Sequence, residues 1–207
     1  MARVEKNEFE NVLLGVLRDR FSEKSGVTVR KNLSISIKTP SGKAELNLVY
    51  VKWAHGYYLV GFADHVGLGE FIAECMIPYK PRSLSNHQYC FSTLSEKNKF
   101  FANSSNGHFG IPSRDEWVGG ACDEIANKIT GTYFPRLESM LSLDLKIIEI
   151  ACSEPGDFSY PLVTALYVAK ANGLSVSEFD VEKFVKAKAS GDVKYDRNIV
   201  ETNLQSE

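Results

Sequence analysis

The sequence predicts an α+β fold: an N-terminal helix on an antiparallel sheet of about four to six strands, followed by a helical C-terminal region. Three observations predict it. The hydrophobic period is helical at the start, shifts to two after Gly26, and returns to helical spacing near Trp117. The strand-like runs fall together instead of alternating one for one with helices, which argues against a parallel sheet. Tight reversals at "TPSG" and "AHG" join strand to strand, as in an antiparallel meander.

Taken in order, Asn7 and Glu10 have capping-box spacing, and Phe9, Leu13, Val16, Leu17 and Phe21 recur on one helical face, predicting a helix over residues 8–24. Leu33, Ile35 and Ile37 alternate with Ser34, Ser36 and Lys38, the pattern of a half-buried strand. "KAELNLVYVKW" carries four consecutive apolar residues from Leu48 to Val51, which fits a strand covered on both faces. "YYLVGFADH" predicts a third strand and "EFIAECMIP" a fourth. "YKPRSLSN" reads as a loop, "QYCFSTL" as a strand, and "ANSSNGHFGIP" as a polar loop with a short extended end.

Ser113 with Glu116 suggests a second capping box, and Trp117, Ala121, Cys122, Ile125 and Ile129 share a helical face. Gly119 and Gly120 inside that helix cost about 1 kcal/mol each relative to alanine. Further helices follow: one carrying Leu137, Leu141, Leu145 and Ile148, one opened by Ser159 and closed at Gly173, and two short ones with charged outer faces. We therefore expect an α+β core over residues 1–131 and a helical subdomain over 132–207 packed on it.

The chain has 207 residues, 43% of them hydrophobic and 24% charged, enough to bury a sizeable core. A formal net charge of −2 and a pI near 6.1 argue against a nucleic-acid partner, because neutralising many phosphates requires a basic footprint. The charge is uneven: residues 1–60 hold 10 Lys/Arg against 6 Asp/Glu, and the remainder 14 against 20. Such asymmetry steers charged partners. Charges interrupt every apolar group at the N-terminus, and nowhere do 18 apolar residues run together, so neither a secretory signal nor a membrane span is expected. The expected location is the cytoplasm, with Cys75, Cys90, Cys122 and Cys152 reduced.

"SNHQYCF" places His87 three residues before Cys90, raising metal and nucleophile readings. A structural zinc site needs two close ligand pairs, and the second pair is missing, so we expect no metal and no cofactor. A cysteine nucleophile would need a base such as His87 or His108 and a lowered pKa at Cys90. Spacing does not supply that proximity. Glu116 and Asp123 share a helical direction but stand about 10.5 Å apart along the axis, consistent with a solvated face. "GLGEF" has two glycines of a phosphate loop without its lysine, and reads as a turn or bulge after the third strand. The aromatic concentration at Tyr50, Trp53, Tyr57, Tyr58 and Phe62, with His55 at the turn, fits either core or an interface anchor. Trp53, His55, Tyr57 and Tyr58 are the candidate binding residues, with Trp53, His55 and Tyr57 expected to be exposed.

The order of "FENVLLGVLRDRF", "LSISIKTPSGKAELNLVYV", "SRDEWVGGACDEIANKI" and the helical tail after "YPLVTALYV" resembles a group of uncharacterised bacterial α+β proteins. Some relatives in that group look like immunity proteins that neutralise a toxin. The resemblance implies a non-catalytic cytoplasmic protein whose partner is another protein, a bacterial toxin among the candidates. The rival expectation is a small hydrolase or transferase built around His87, Cys90 and His108.

Overall fold

The computed structural model describes residues 4–83, 85–95 and 107–204. Its class is α+β, with an N-terminal helix, an antiparallel sheet and C-terminal helices. Helix α1 (Lys6–Phe21) buries Phe9, Leu13, Leu17 and Phe21 along one stripe. It begins two residues before the expected start, because Glu10 is not used as a capping box: its carboxylate accepts a hydrogen bond from Tyr57 at 2.8 Å and pairs with Lys6 at 3.3 Å.

Strands β1 (Val27–Val29), β2 (Ser34–Thr39), β3 (Gly42–Val51), β4 (Gly56–His65) and β5 (Tyr89–Ser92) lie in that order across the sheet. A two-residue strand, β6 (Phe109–Gly110), pairs with β4, Gly56 opposite Gly110 and Tyr57 opposite Phe109. β2 departs from the half-buried expectation: Ser34 and Ser36 are buried beside Ile35 and Ile37. Their hydroxyls are satisfied locally, by the Asn32 side chain and the Thr28 carbonyl, which offsets the cost of burying them. The expected fourth strand in "EFIAECMIP" does not form. Residues Val66–Glu74 are instead helix α2, with "GLGEF" inside it, and the backbone N–H of Leu68 donates to Nδ1 of His65 as the N-terminal cap.

The remaining helices are α3 (Val118–Lys128), α4 (Phe134–Ser142), α5 (Lys146–Ser153), α6 (Pro161–Ala171), α7 (Val181–Lys186) and α8 (Val193–Asn203). A π-turn over Ile129–Tyr133 joins α3 to α4. The Ser113 capping box is absent: Glu116 reaches back to Arg114 at 3.3 Å, and the segment Asp115–Trp117 is a 3-10 turn that leaves Trp117 half exposed.

The residues group into two compact units, each assembled from separated stretches. The first comprises residues 1–39, 43–62 and 91–137. In its core α1 packs on α3, Phe21 lies against Phe134 with ring centroids 4.6 Å apart, and Phe91 stacks on Tyr133. Gly61 is required there, since a Cβ would sit 2.2 Å from the Phe91 ring. The second comprises residues 40–42, 63–90 and 138–207. It is organised around α6, which is apolar on nearly all sides and receives α2, α5 and α8. Fully buried Asp196 accepts hydrogen bonds from Tyr79, Ser190 and the Gly191 backbone, so its charge is compensated.

Candidate functional site

The β3–β4 hairpin of the first unit turns over Lys52–His55, closed by the His55 N–H donating to the Lys52 carbonyl at 3.2 Å. His55 takes a φ of +43°, a left-handed conformation that histidine adopts more readily than bulkier residues. Trp53, on this turn, is 76% exposed. Three contacts hold the turn. Tyr50 and His55 share a hydrogen bond of 3.0 Å at Nδ1 of the imidazole, the His55 carbonyl accepts from the Ile111 N–H at 2.9 Å, and β6 pairs beside it at Gly56. Glycine is needed at position 56, where a Cβ would lie 2.1 Å from the Phe109 carbonyl oxygen.

That pairing brings His108, just before β6, against Trp53 in an edge arrangement with ring centroids 5.4 Å apart. Lys6 stands over the Tyr50 ring at 4.8 Å. The tip is therefore an indole held by an imidazole and flanked by the exposed ammonium-bearing Lys52. Nε2 of His55 and Nδ1 of His108 are buried without a hydrogen-bond partner among the described residues.

Tyr57 corrects an expectation. It is 1% exposed, stacks between Phe9 and Phe109, and donates to Glu10 at 2.8 Å. Burial and the neighbouring carboxylate push its phenol pKa well above the ordinary value. It supports the hairpin from the core side, whereas Tyr58 is half-buried on the opposite face. Strand parity carried this signal: Tyr57 shares its face with Leu59 and Ala63, all buried.

His87 and Cys90 belong to the second unit, and His108 to the first. Nδ1 of His87 meets the Asp64 carboxylate at 2.8 Å, and the other Asp64 oxygen accepts from the Gln88 N–H at 3.1 Å. Ser159 donates to the His87 carbonyl at 2.6 Å. Asp64, Gln88 and Ser159 were not legible as a group: they are separated by 23 residues or more from one another or from their partners along the chain, except Gln88 beside His87. Cys90 is half-buried, and burial pushes its thiol pKa up despite a hydrogen bond with Ser85. The thiolate is thereby disfavoured, which works against nucleophilic chemistry at Cys90. Cys122 is pushed up to about 12 by burial, and all four thiols are free.

Among the described residues, no group of three or more His, Cys, Asp or Glu side chains converges to hold a metal ion. Nor is any helix among them long and apolar enough to cross a membrane. The charge asymmetry follows the units: the first carries 15 Lys/Arg against 11 Asp/Glu, or +4, and the second 9 against 15, or −6.

No family model, curated protein or solved structure matches this chain.

Proposed function

We propose that the chain is a non-catalytic binding protein that docks a protein partner through the β3–β4 hairpin tip, with Trp53 as its anchor. The observation that carries this reading is a 76% exposed indole on a turn braced by Tyr50, Ile111 and β6. Large rigid side chains dominate interface energetics because they bury much area at little cost in rotamer freedom. The bracing lowers that cost further, since the turn is ordered before the partner arrives. The specific form we favour is a cytoplasmic immunity protein that occludes a bacterial toxin sterically, with the charged surroundings of the tip setting orientation.

The test is co-expression with the product of each neighbouring reading frame. Rescue of growth from a toxic neighbour by the wild-type chain, lost in Trp53→Ala at unchanged thermal stability, supports the proposal. Truncation of a central tryptophan anchor costs about 2–4 kcal/mol of binding, enough to abolish rescue at ordinary expression. Undiminished rescue by Trp53→Ala would remove the hairpin from the account, and non-toxic neighbours throughout would remove the immunity form.

A second reading, a small hydrolase or transferase, draws on the Asp64–His87 contact, since a carboxylate on Nδ1 orients an imidazole for proton transfer. Thiol labelling at neutral pH separates the two. A single hyper-reactive Cys90 would favour the enzyme, and uniformly slow labelling of Cys90 would leave it without its nucleophile.

A further inference from the structure

The second unit has an open cleft between the C-terminal end of α2 and one face of α8. Phe71, Cys75 and Ile199 form its apolar side, Asn198 and Thr202 its polar side, and the exposed Glu74 carboxylate its rim. Its volume is about 230 Å³, room for one large side chain. One end is pinned by the Tyr195 hydroxyl donating to the Cys75 carbonyl. At the other, Lys170 lies over the Phe71 ring at 5.6 Å and donates to the Asn203 side chain at 3.4 Å. Next to Cys75, Met76 is 84% exposed with a φ of +46°.

We infer that this cleft receives the hairpin tip of a second copy of the chain, Trp53 entering over Phe71 and Ile199 while Lys52 faces Glu74. Two independent observations converge on that occupant. The first is complementary form: an exposed indole on one unit, and on the other an open, partly apolar cleft of side-chain size. The second is complementary charge, +4 on the unit that bears the tip against −6 on the unit that bears the cleft. Attraction between these opposite fields orients one copy head-to-tail on another and is weakened by salt. The contact is heterologous, since tip and cleft are different surfaces. Its small footprint places it among weak, transient associations. Self-docking thus covers the indole only at concentrations high enough to populate this weak contact, and the dilute chain keeps it exposed.

This inference rests on the reading of the tip as a docking surface, but it is measured on the purified full chain alone, so its failure is distinguishable from a failure of growth rescue. Sedimentation velocity would be run from about 5 to about 500 µM, spanning the range expected of a weak contact. It would be repeated at about 50 and about 500 mM salt, on either side of physiological screening. The expected result is concentration-dependent association that weakens at high salt and falls about tenfold or more in Trp53→Ala. Lys52→Glu and Glu74→Lys, both at exposed positions, should each be monomeric alone and associate when mixed, because the reversed tip then meets the reversed rim. A chain that is monomeric at every concentration at low salt overturns the inference. So does association that survives Trp53→Ala, or a mixture of the two charge variants that stays monomeric.

Discussion

At His65 a single proton links local structure to stability. Its Nδ1 accepts the Leu68 N–H that caps α2, and an imidazole accepts there only while that nitrogen is unprotonated. Burial lowers its pKa, so the folded chain holds the proton less readily than the unfolded one. The unfolded state therefore binds more protons as pH falls below the ordinary histidine value of about 6.5, and stability declines on the acidic side of that point. Above it, both states are neutral and this contribution is fully present. His65→Asn keeps a cap acceptor without the titration. The expected outcome is a smaller loss of Tm between pH 7.5 and pH 5.5 than in the wild type, followed by thermal melts of both chains; equal losses would assign the acid sensitivity to other groups.

At the scale of elements, periodicity was a good guide where one face of an element is buried and a poor one where tertiary contacts decide. Helix α1 and strand β4 follow their hydrophobic patterns closely, whereas β3, expected to be covered on both faces, buries Ala44, Leu46 and Leu48 on one face and leaves Val49, Tyr50 and Val51 half-buried. Segment Val66–Glu74 is too short and too apolar for its period to separate strand from helix, and its cap is a histidine, outside the usual Ser, Thr, Asp and Asn. Both proposed capping boxes fail because their glutamates find other partners, Glu10 at Tyr57 and Lys6, Glu116 at Arg114. The hairpin tip was legible as an aromatic cluster, but the bracing by His108 and β6 was not, because residues more than 50 positions apart meet only in the folded sheet. Gly119 and Gly120 in α3 meet nothing within 4 Å of an added Cβ, so neither close packing nor a left-handed backbone requires them. Alanine at each should stabilise the fold by about 0.5–1 kcal/mol, read as a shift of the urea midpoint at constant slope. A destabilised variant would mean that the first turn of α3 needs the freedom of glycine.

Across the whole molecule, charge and aromatic exposure are divided in the same way. The unit with net positive charge presents Trp53, and the unit with net negative charge contains α6 and the Asp64–His87 contact. Total charge alone, at −2, hides that division, and a split at residue 60 recovers it only because the later stretch of the basic unit, residues 91–137, is balanced at 5 Lys/Arg against 5 Asp/Glu. In the proposed function, Trp53 is the surface a partner covers. Trp117, half exposed with Arg114 over its ring at 4.6 Å, is the other tryptophan, so a Trp117→Phe chain reports on Trp53 alone. The direct measurement is acrylamide quenching of that chain, dilute and free, and in complex with any neighbouring gene product whose toxicity it relieves in the co-expression test. Efficient quenching is expected of the dilute free chain, and a severalfold lower quenching constant in the complex. A complex in which Trp53 remains as quenchable as in the free chain would contradict the proposed function.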